Sequence, residues 1–233
     1  MAHRDNVLHG LKHFGLEARP HVCNLFVSSY LPLLCRELVS LESLSLPQFV
    51  PIQAVLSMKG LIQRNLERLE LNSPLEWKHL EPLLHESFPA LTSLILTSVS
   101  GMFPPTTTAT AISTRLKQLT LGLSLSASDT QTVLNSLSVW FPSLVVLDLE
   151  VSHHNTKQQK DLDYAPIDFA SLSQLRVLEK LTLQLHFPVV PFYSLLHLPK
   201  VTHMNWHLSG VYPPKLERDL KRIAPNATAV ITS

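Results

Sequence analysis

The segment Phe141–His154, FPSLVVLDLEVSHH, has leucines at positions 144, 147 and 149. This spacing is L-x-x-L-x-L. In a β-strand, residues two apart share a face, so the second and third leucines point into one core, and the first enters it from the preceding bend. Asp148 and Glu150 alternate with the leucines and are expected to face away from that core. The segment therefore predicts a strand with one apolar and one polar face.

The same spacing recurs along the chain and predicts a repeat. Full copies lie at residues 41–46, 66–71, 91–96, 116–121, 144–149 and 178–183, and a degenerate copy is Val201-Met204-Trp206. The central positions 44, 69, 94, 119, 147, 181 and 204 are separated by 25, 25, 25, 28, 34 and 23 residues. A further step of about 26 residues reaches Val230 in ATAVITS, which we predict as the last strand. One unit cannot bury its apolar face alone, whereas stacked units share a continuous core.

The segments between these strands predict the return paths. Residues 73–89 and 126–142 have apolar side chains at helical spacing, and both end in Phe-Pro, where the proline stops a helix. We predict Ser73 as the cap of the first helix and Ser128 or Asp129 as the cap of the second. The predicted buried face of the second helix comprises Val133, Leu134, Leu137 and Trp140. Residues 101–114, rich in Pro and Thr, predict an extended return, and the polar residues 151–166 predict an exposed loop.

These strands and periods resemble leucine-rich repeats of the irregular, helix-containing kind, as in ribonuclease-inhibitor-like domains and the repeat regions of F-box proteins. The resemblance implies an α/β leucine-rich-repeat solenoid of about seven repeats, with a parallel concave sheet and a helical or irregular convex side. We predict an N-terminal helical cap at residues 1–37 and the repeat domain at residues 38–233. The family's loop Asn, three positions after the last strand leucine, is absent, so other groups must hold the turns. The residues at those positions are Phe49, Pro74, Val99, Ser124, Ser152, His186 and Ser209.

Composition bounds the partners and the location of the protein. The 233 residues include 19 Lys plus Arg against 18 Asp plus Glu, which gives no electrostatic reason to expect nucleic acid or an acidic membrane as a partner. No apolar run reaches the length of about 20 residues that spans a bilayer. The N-terminus lacks the apolar segment of a signal peptide, and Cys23 and Cys35 do not indicate a disulfide framework. We therefore predict a cytoplasmic or nuclear protein.

The polar positions between the strand leucines predict a concave contact surface. They form rows across neighbouring strands, which lie about 4.8 Å apart, so residues in one row can touch one ligand together. Charge is concentrated in the C-terminal half of the repeat domain. The alternative is a solvated face whose cross-strand ion pairs contribute about 0–1 kcal/mol each. The predicted partner-binding residues are Asp148, Glu150, Lys180, Gln184, His203, Asn205 and His207.

Catalysis and metal binding have little support in the sequence. Asp148 and Glu150 share one exposed face and lack the burial that a catalytic carboxylate pair needs. His203 and His207 are four residues apart, which in a strand is about 13 Å and too far for one ion. Glycine-rich phosphate loops, G-x-S-x-G, CxxC and HExxH are absent from the sequence. We predict no catalytic residue, no cofactor and no metal site.

The resemblance implies non-catalytic protein–protein recognition. One form is an F-box-like substrate receptor of a ubiquitin ligase, which would bind a Skp1-like adaptor. Leu31-Pro32 matches the opening of an F-box, but too few residues separate it from the first repeat for three helices, so the chain contains no recognisable F-box. The alternatives are a plain scaffold or inhibitor, or an enzyme or small-ligand binder at the C-terminal end of the concave surface.

Overall fold

We describe the chain from a computed structural model, which defines residues 10–16, 40–48, 65–80, 88–101, 113–125, 127–152, 168–185, 201–209 and 227–232, with single residues at 30, 33, 38, 50, 55 and 218. Within these residues, ten strands form one sheet, and every pair of neighbouring strands is parallel. The strands are β1 (His13–Gly15), β2 (Ser43–Leu46), β3 (Arg68–Leu71), β4 (Leu75–Glu76), β5 (Ser93–Ser100), β6 (Gln118–Ser124), β7 (Val146–Ser152), β8 (Lys180–Leu185), β9 (His203–Ser209) and β10 (Ala227–Thr232).

The order of strands across the sheet follows the chain, except that the short β4 pairs with β5 beside the main path. A helix, α1 (Ala127–Trp140), joins β6 to β7, and a 3-10 helix (Ala170–Gln174) precedes β8. Each return path therefore displaces the chain by one strand in the same direction. This stacking of parallel strands confirms the predicted α/β leucine-rich-repeat solenoid.

The repeating leucines form the core. Every leucine in the six full copies of L-x-x-L-x-L is at most 3% exposed. The central leucines pair in register, for example Leu94 with Leu119 and Leu119 with Leu147. A slip of one residue would turn all of these side chains to the solvent face, and burying one leucine contributes about 1.5–3 kcal/mol. The apolar spacing therefore determines the strand register.

The sheet begins earlier than predicted. Residues Leu11, Phe14 and Leu16 have the repeat spacing with Phe at the central position, they pack against the core, and Phe14 pairs with Leu44. The sequence analysis missed this copy because Phe replaces Leu and because the step from position 14 to position 44 is 30 residues, which departs from the three 25-residue steps directly after it. Strand β1 thus lies inside the segment 1–37 that was predicted as a helical cap. Most of the predicted cap helix lies outside the described residues.

The last predicted strand exists, but its predicted register is wrong. Strand β10 pairs with β9 so that Ala227, and not Val230, is opposite Met204, while Val230 is opposite His207. The step from Met204 to Ala227 is therefore 23 residues, the same as the step before it, and not the predicted 26 or so. With β1 and β10 included, the described part of the chain has nine strands along the main path of the sheet, compared with the predicted seven repeats.

A backbone feature holds the entry of each strand in register. The carbonyl of Lys12 accepts hydrogen bonds from the amides of both Glu42 and Ser43, at 2.8 and 2.9 Å. The same double acceptance recurs at each following step as far as the entry of β9, with distances of 2.8–3.2 Å. Because these groups belong to the backbone, the feature needs no particular side chain and tolerates the varied residues at these positions. The further accepting carbonyls are those of Glu42, Glu67, Thr92, Lys117, Val145 and Glu179.

Two arrangements replace the missing loop Asn. The Ser73 hydroxyl donates to the carbonyl of Pro47 at 3.0 Å and accepts from the amide of Val50 at 2.9 Å, which ties the turn after β3 to the turn after β2. Ser73 therefore holds a turn and is not the predicted helix cap. In the next three repeats the strands themselves continue through the Asn position, at Val99, Ser124 and Ser152. The sheet ladder then satisfies backbone groups that the Asn would otherwise bind.

The convex side is partly helical. Leu75 and Glu76 form strand β4, and residues 77–80 are helical, so the first return helix begins later than predicted. Helix α1 begins at Ala127, and Ser128 and Asp129 lie in its first turn and are not its cap. The predicted buried face of α1 is confirmed, since its four side chains are at most 1% exposed. They are Val133, Leu134, Leu137 and Trp140. Most of residues 101–114 and 151–166 lies outside the described residues.

An aromatic contact on the convex side joins two repeats. The rings of Trp77 and Trp140 stack with their centroids 4.1 Å apart and an angle of 27° between their planes. Both side chains are at most 2% exposed. Among the described residues, no helix is long and apolar enough to cross a membrane.

Candidate functional site

The outward-facing residues of β6 to β9 form three rows that run across the strands, as the spacing predicted. We call this area the concave surface of β6–β9. All four strands pair in continuous register, so each row holds one residue per strand. The rows are Gln118–Val146–Lys180–His203, Thr120–Asp148–Thr182–Asn205 and Gly122–Glu150–Gln184–His207. The seven predicted partner-binding residues therefore lie on three adjacent strands, β7, β8 and β9.

Most of these side chains are open to solvent. Glu150, Lys180, His203 and Asn205 are exposed, and Asp148 and Gln184 are half-buried. For His207 the structure defines the backbone position alone. The exposed groups include one carboxylate, one ammonium group and one amide, which can make charged and neutral hydrogen bonds to a partner.

Two of the predicted residues have neighbours that orient them. Thr120 donates a hydrogen bond to Asp148 at 3.3 Å, which holds the carboxylate toward β6. His203 Nδ1 lies 2.8 Å from the hydroxyl of Thr202, whose oxygen is also 3.3 Å from the carbonyl of Glu179. These contacts limit the rotation of both side chains without removing them from solvent.

The opposite charges of Asp148 and Lys180 lie near each other but do not pair. Lys180 is opposite Val146 and Asp148 is opposite Thr182, so the two are diagonal neighbours at roughly 8 Å between Cα atoms. Within the described residues, no ion pair links Asp148 to Lys180. A partner can therefore engage each charge separately.

The concave surface widens toward the C-terminal half. Strands β2 and β3 have 4 residues each, whereas β5 has 8 and β6 and β7 have 7 each. At about 3.3 Å per residue, the width of the sheet grows from about 13 Å to about 23 Å. The charged rows thus lie where the sheet is broad.

A β-bulge alters the edge of this surface. Leu96 pairs with Leu121 and Val99 with Leu123, so β5 has one extra residue over this stretch. A Cβ atom on Gly122 would lie 2.7 Å from the carbonyl carbon of Thr97 and closer still to its oxygen. Position 122 therefore admits glycine alone without a shift of the β5 backbone.

The bulge borders a surface depression of about 180 Å³. We call it the Gly122 depression. Thr97, Gly122 and Glu150 each follow the last leucine of a repeat, so the spacing alone would place them in one row, and it does not reveal the bulge that separates Thr97 from the others. The sequence signal for this bulge was Gly122 itself. The chain has 6 glycines, and a glycine inside a strand often marks a bulge. The depression is lined by Thr97, Ser98, Gly122, Leu123, Ser124, Glu150 and Ser152.

The described residues of the concave surface offer charged and hydrogen-bonding groups for contact with a partner. Among the described residues, no three His, Cys, Asp or Glu side chains lie close enough to hold a metal ion. His203 and His207 occupy one strand four residues apart, and His153 and His154 lie outside the described residues.

The fold and register define the class of this chain as a leucine-rich-repeat solenoid. No protein-family model matches the sequence. No curated protein matches it either. Among solved structures, the chain is similar to the leucine-rich-repeat protein LIC12759 of Leptospira interrogans, with 16% identity and a TM-score of 0.44 over 85% of this chain and 56% of that one. The chain thus spans little more than half the length of that protein's chain.

Proposed function

We propose that this chain is a non-catalytic protein-recognition module that binds its partner through the concave surface of β6–β9. The observation that supports this proposal most directly is the set of three in-register rows on the broad part of the sheet. Exposed acidic, basic and amide side chains stand there on rigid strands, which reduces the entropy lost on binding. Complementary charges on a partner would steer the encounter and determine which proteins bind.

The area of the surface bounds the size of the contact. Four strands spaced by about 4.8 Å and about 23 Å wide cover roughly 440 Å². A stable protein–protein interface buries about 800 Å² per partner. The partner therefore also contacts residues outside these four strands.

A finer form of the proposal is an F-box-like substrate receptor that binds a Skp1-like adaptor. Its support is the resemblance of the irregular repeats to those of F-box proteins. A plain scaffold or inhibitor is the alternative within the same class.

The Gly122 depression gives weaker support to an enzyme acting on a small molecule. Ligand pockets usually enclose about 300–1,000 Å³. The Gly122 depression, at about 180 Å³, is smaller than that range. Its size suits a side chain of a protein partner better than a whole metabolite.

Affinity capture with charge-reversed variants tests the proposal. Partners bound to the wild-type chain are identified by mass spectrometry, and capture is repeated with Asp148→Lys and with Lys180→Glu. Each variant is expected to reduce capture of the partner at least tenfold, because it opposes a charge that the partner complements. The matched controls are Glu67→Lys and Arg176→Glu, which reverse exposed charges away from the surface.

Three outcomes separate the alternatives. Full capture by both reversed variants would overturn the proposed surface. A Skp1-like adaptor among the captured proteins would support the substrate-receptor form. Capture of a different stable partner without that adaptor would leave the scaffold or inhibitor form.

A further inference from the structure

We infer that the Gly122 depression receives a lysine or arginine side chain of the protein partner. This inference rests on the proposed function, because it names the chemistry that one part of the concave surface recognises. Three observations support the inference: the shape of the depression, the groups that line it and the charges around it.

The backbone creates the space. Gly122, opposite Glu150, has no side chain, and the backbone carbonyl of Thr97 occupies the place that a Cβ atom would take. The extra residue in β5 moves Thr97 and Ser98 out of the regular ladder beside it. The depression lies beside this irregular stretch of the β5 backbone.

The lining is rich in hydrogen-bond acceptors. Glu150 is an exposed carboxylate, which accepts hydrogen bonds and donates none when ionised. Ser152 donates its hydroxyl hydrogen to the carbonyl of Leu123 at 3.3 Å, so its oxygen is left to accept from a ligand. The hydroxyls of Thr97, Ser98 and Ser124 can also accept. Such a lining complements a cation with several N–H groups, and lysine has three and arginine five.

The volume suits the end of a side chain. The depression has a volume of about 180 Å³. That space accommodates an ammonium or guanidinium group with the last methylene groups of its chain. Charge-assisted hydrogen bonds from such a group to Glu150 are roughly twice as strong as neutral ones.

The surrounding charges also favour a cation. Asp148 lies two residues before Glu150 on the same strand, at about 7 Å between Cα atoms, and adds a second negative charge. Lys180 is opposite Val146, which places its Cα about 14 Å from that of Glu150. This separation exceeds the screening length of about 8 Å at physiological ionic strength, so its repulsion of an incoming cation is largely screened.

An NMR titration of the ¹⁵N-labelled chain tests the inference without knowledge of the partner. The probes are N-acetyl-arginine amide and N-acetyl-lysine amide, and the control probe is N-acetyl-norleucine amide, which has a similar shape and no charge. The charged probes are expected to shift the amide signals of Thr97, Ser98, Gly122 and Glu150, and the norleucine probe to leave them in place. Equal shifts with all three probes would overturn the inference.

A variant of the lining provides the second measurement. Glu150→Gln keeps the size of the side chain and removes its charge, and it is expected to weaken binding of the charged probes at least fivefold. Glu179→Gln, at an exposed position outside the depression, is the matched control and is expected to bind them as the wild type does. Unchanged probe binding by Glu150→Gln would also contradict the inference.

The two proposals fail in different ways. If the charge reversals at Asp148 and Lys180 abolish partner capture while the titration is negative, binding through the concave surface of β6–β9 is supported. The inference that the Gly122 depression receives a basic side chain is then wrong. If those reversals leave capture intact, the proposed function is wrong whatever the titration gives.

Discussion

At the scale of single residues, positions that carry no charge decide the shape of the concave surface. Gly122 leaves room for the β5 backbone, and Ser73 joins two turns that lack the usual asparagine. Neither residue belongs to the leucine pattern. Gly122 matters because the Thr97 backbone lies against it, and Ser73 matters because it bonds to the turn after β2.

We expect Gly122→Ala to lower the free energy of unfolding by about 1–3 kcal/mol, because the new methyl group meets backbone atoms of Thr97 and forces β5 to shift. Urea denaturation measures the change. Gly10→Ala is the matched control, since a Cβ atom there meets nothing within 4 Å. Equal denaturation midpoints for the two variants would show that β5 adapts without cost.

We expect Ser73→Ala to lower the free energy of unfolding by about 1–3 kcal/mol, because the amide of Val50 loses its acceptor. Val50 is 4% exposed, so water replaces that acceptor poorly. Thermal and urea denaturation measure the loss. Thr114→Ala, which removes a hydroxyl at an exposed position, serves as control and is expected to stay within about 0.5 kcal/mol of the wild type. A loss no larger than that of the control would contradict the role assigned to Ser73.

At the scale of secondary-structure elements, the convex side depends on contacts between repeats that are distant in sequence. Trp77 follows β4, and Trp140 ends the helix between β6 and β7, yet their rings stack. The amide of Ser113 also donates to the carbonyl of Trp140 at 3.0 Å. Three segments of the chain thus meet at the end of α1.

A double-mutant cycle tests whether the tryptophan stack couples these repeats. Trp77→Leu and Trp140→Leu are each expected to destabilise the chain, and the coupling between them is expected to be about 0.5–1.5 kcal/mol. A control cycle combines Trp77→Leu with Leu181→Val in the core of β8. That pair is expected to be additive within about 0.5 kcal/mol. Equal coupling in both cycles would mean that the stack contributes nothing specific.

At the scale of the whole molecule, each strand contacts its neighbours in the stack and little else. Stability in such a solenoid is a sum of terms for single repeats and for adjacent pairs of repeats. Among the described strands, β1 and β10 have one neighbour in the sheet, whereas β6 and β7 have two. Local opening therefore costs less free energy at the two ends of the sheet.

Hydrogen exchange followed by mass spectrometry is expected to show this gradient. After correction for intrinsic rates, amides in β6 and β7 should be protected at least tenfold more than those in β1 and β10. The reason is that a terminal strand opens by breaking one ladder and a central strand by breaking two. Uniform protection along the sheet would indicate that the solenoid opens as a single cooperative unit.

Much of the fold was predictable because the spacing of the leucines within each short copy also determines how distant strands pair. Six copies of one spacing predicted the parallel sheet, its register and the three outward-facing rows. The first strand escaped the pattern because Phe14 replaces leucine, and the register of β10 was misjudged because its sequence, Ala227–Thr232, contains no leucine. Where the apolar pattern weakens, neighbouring alignments bury similar areas, and the sequence cannot distinguish them.

The sequence alone determined which residues point inward and which point outward, because side-chain alternation in a strand is fixed by backbone geometry. It therefore brought Asp148, Glu150 and Lys180 to one face. Only the tertiary structure showed that the strands lengthen after β3, that Ser73 ties two turns, and that a bulge beside Gly122 forms a depression. These features depend on contacts between residues that are more than 20 positions apart in the sequence, and no local pattern records such contacts.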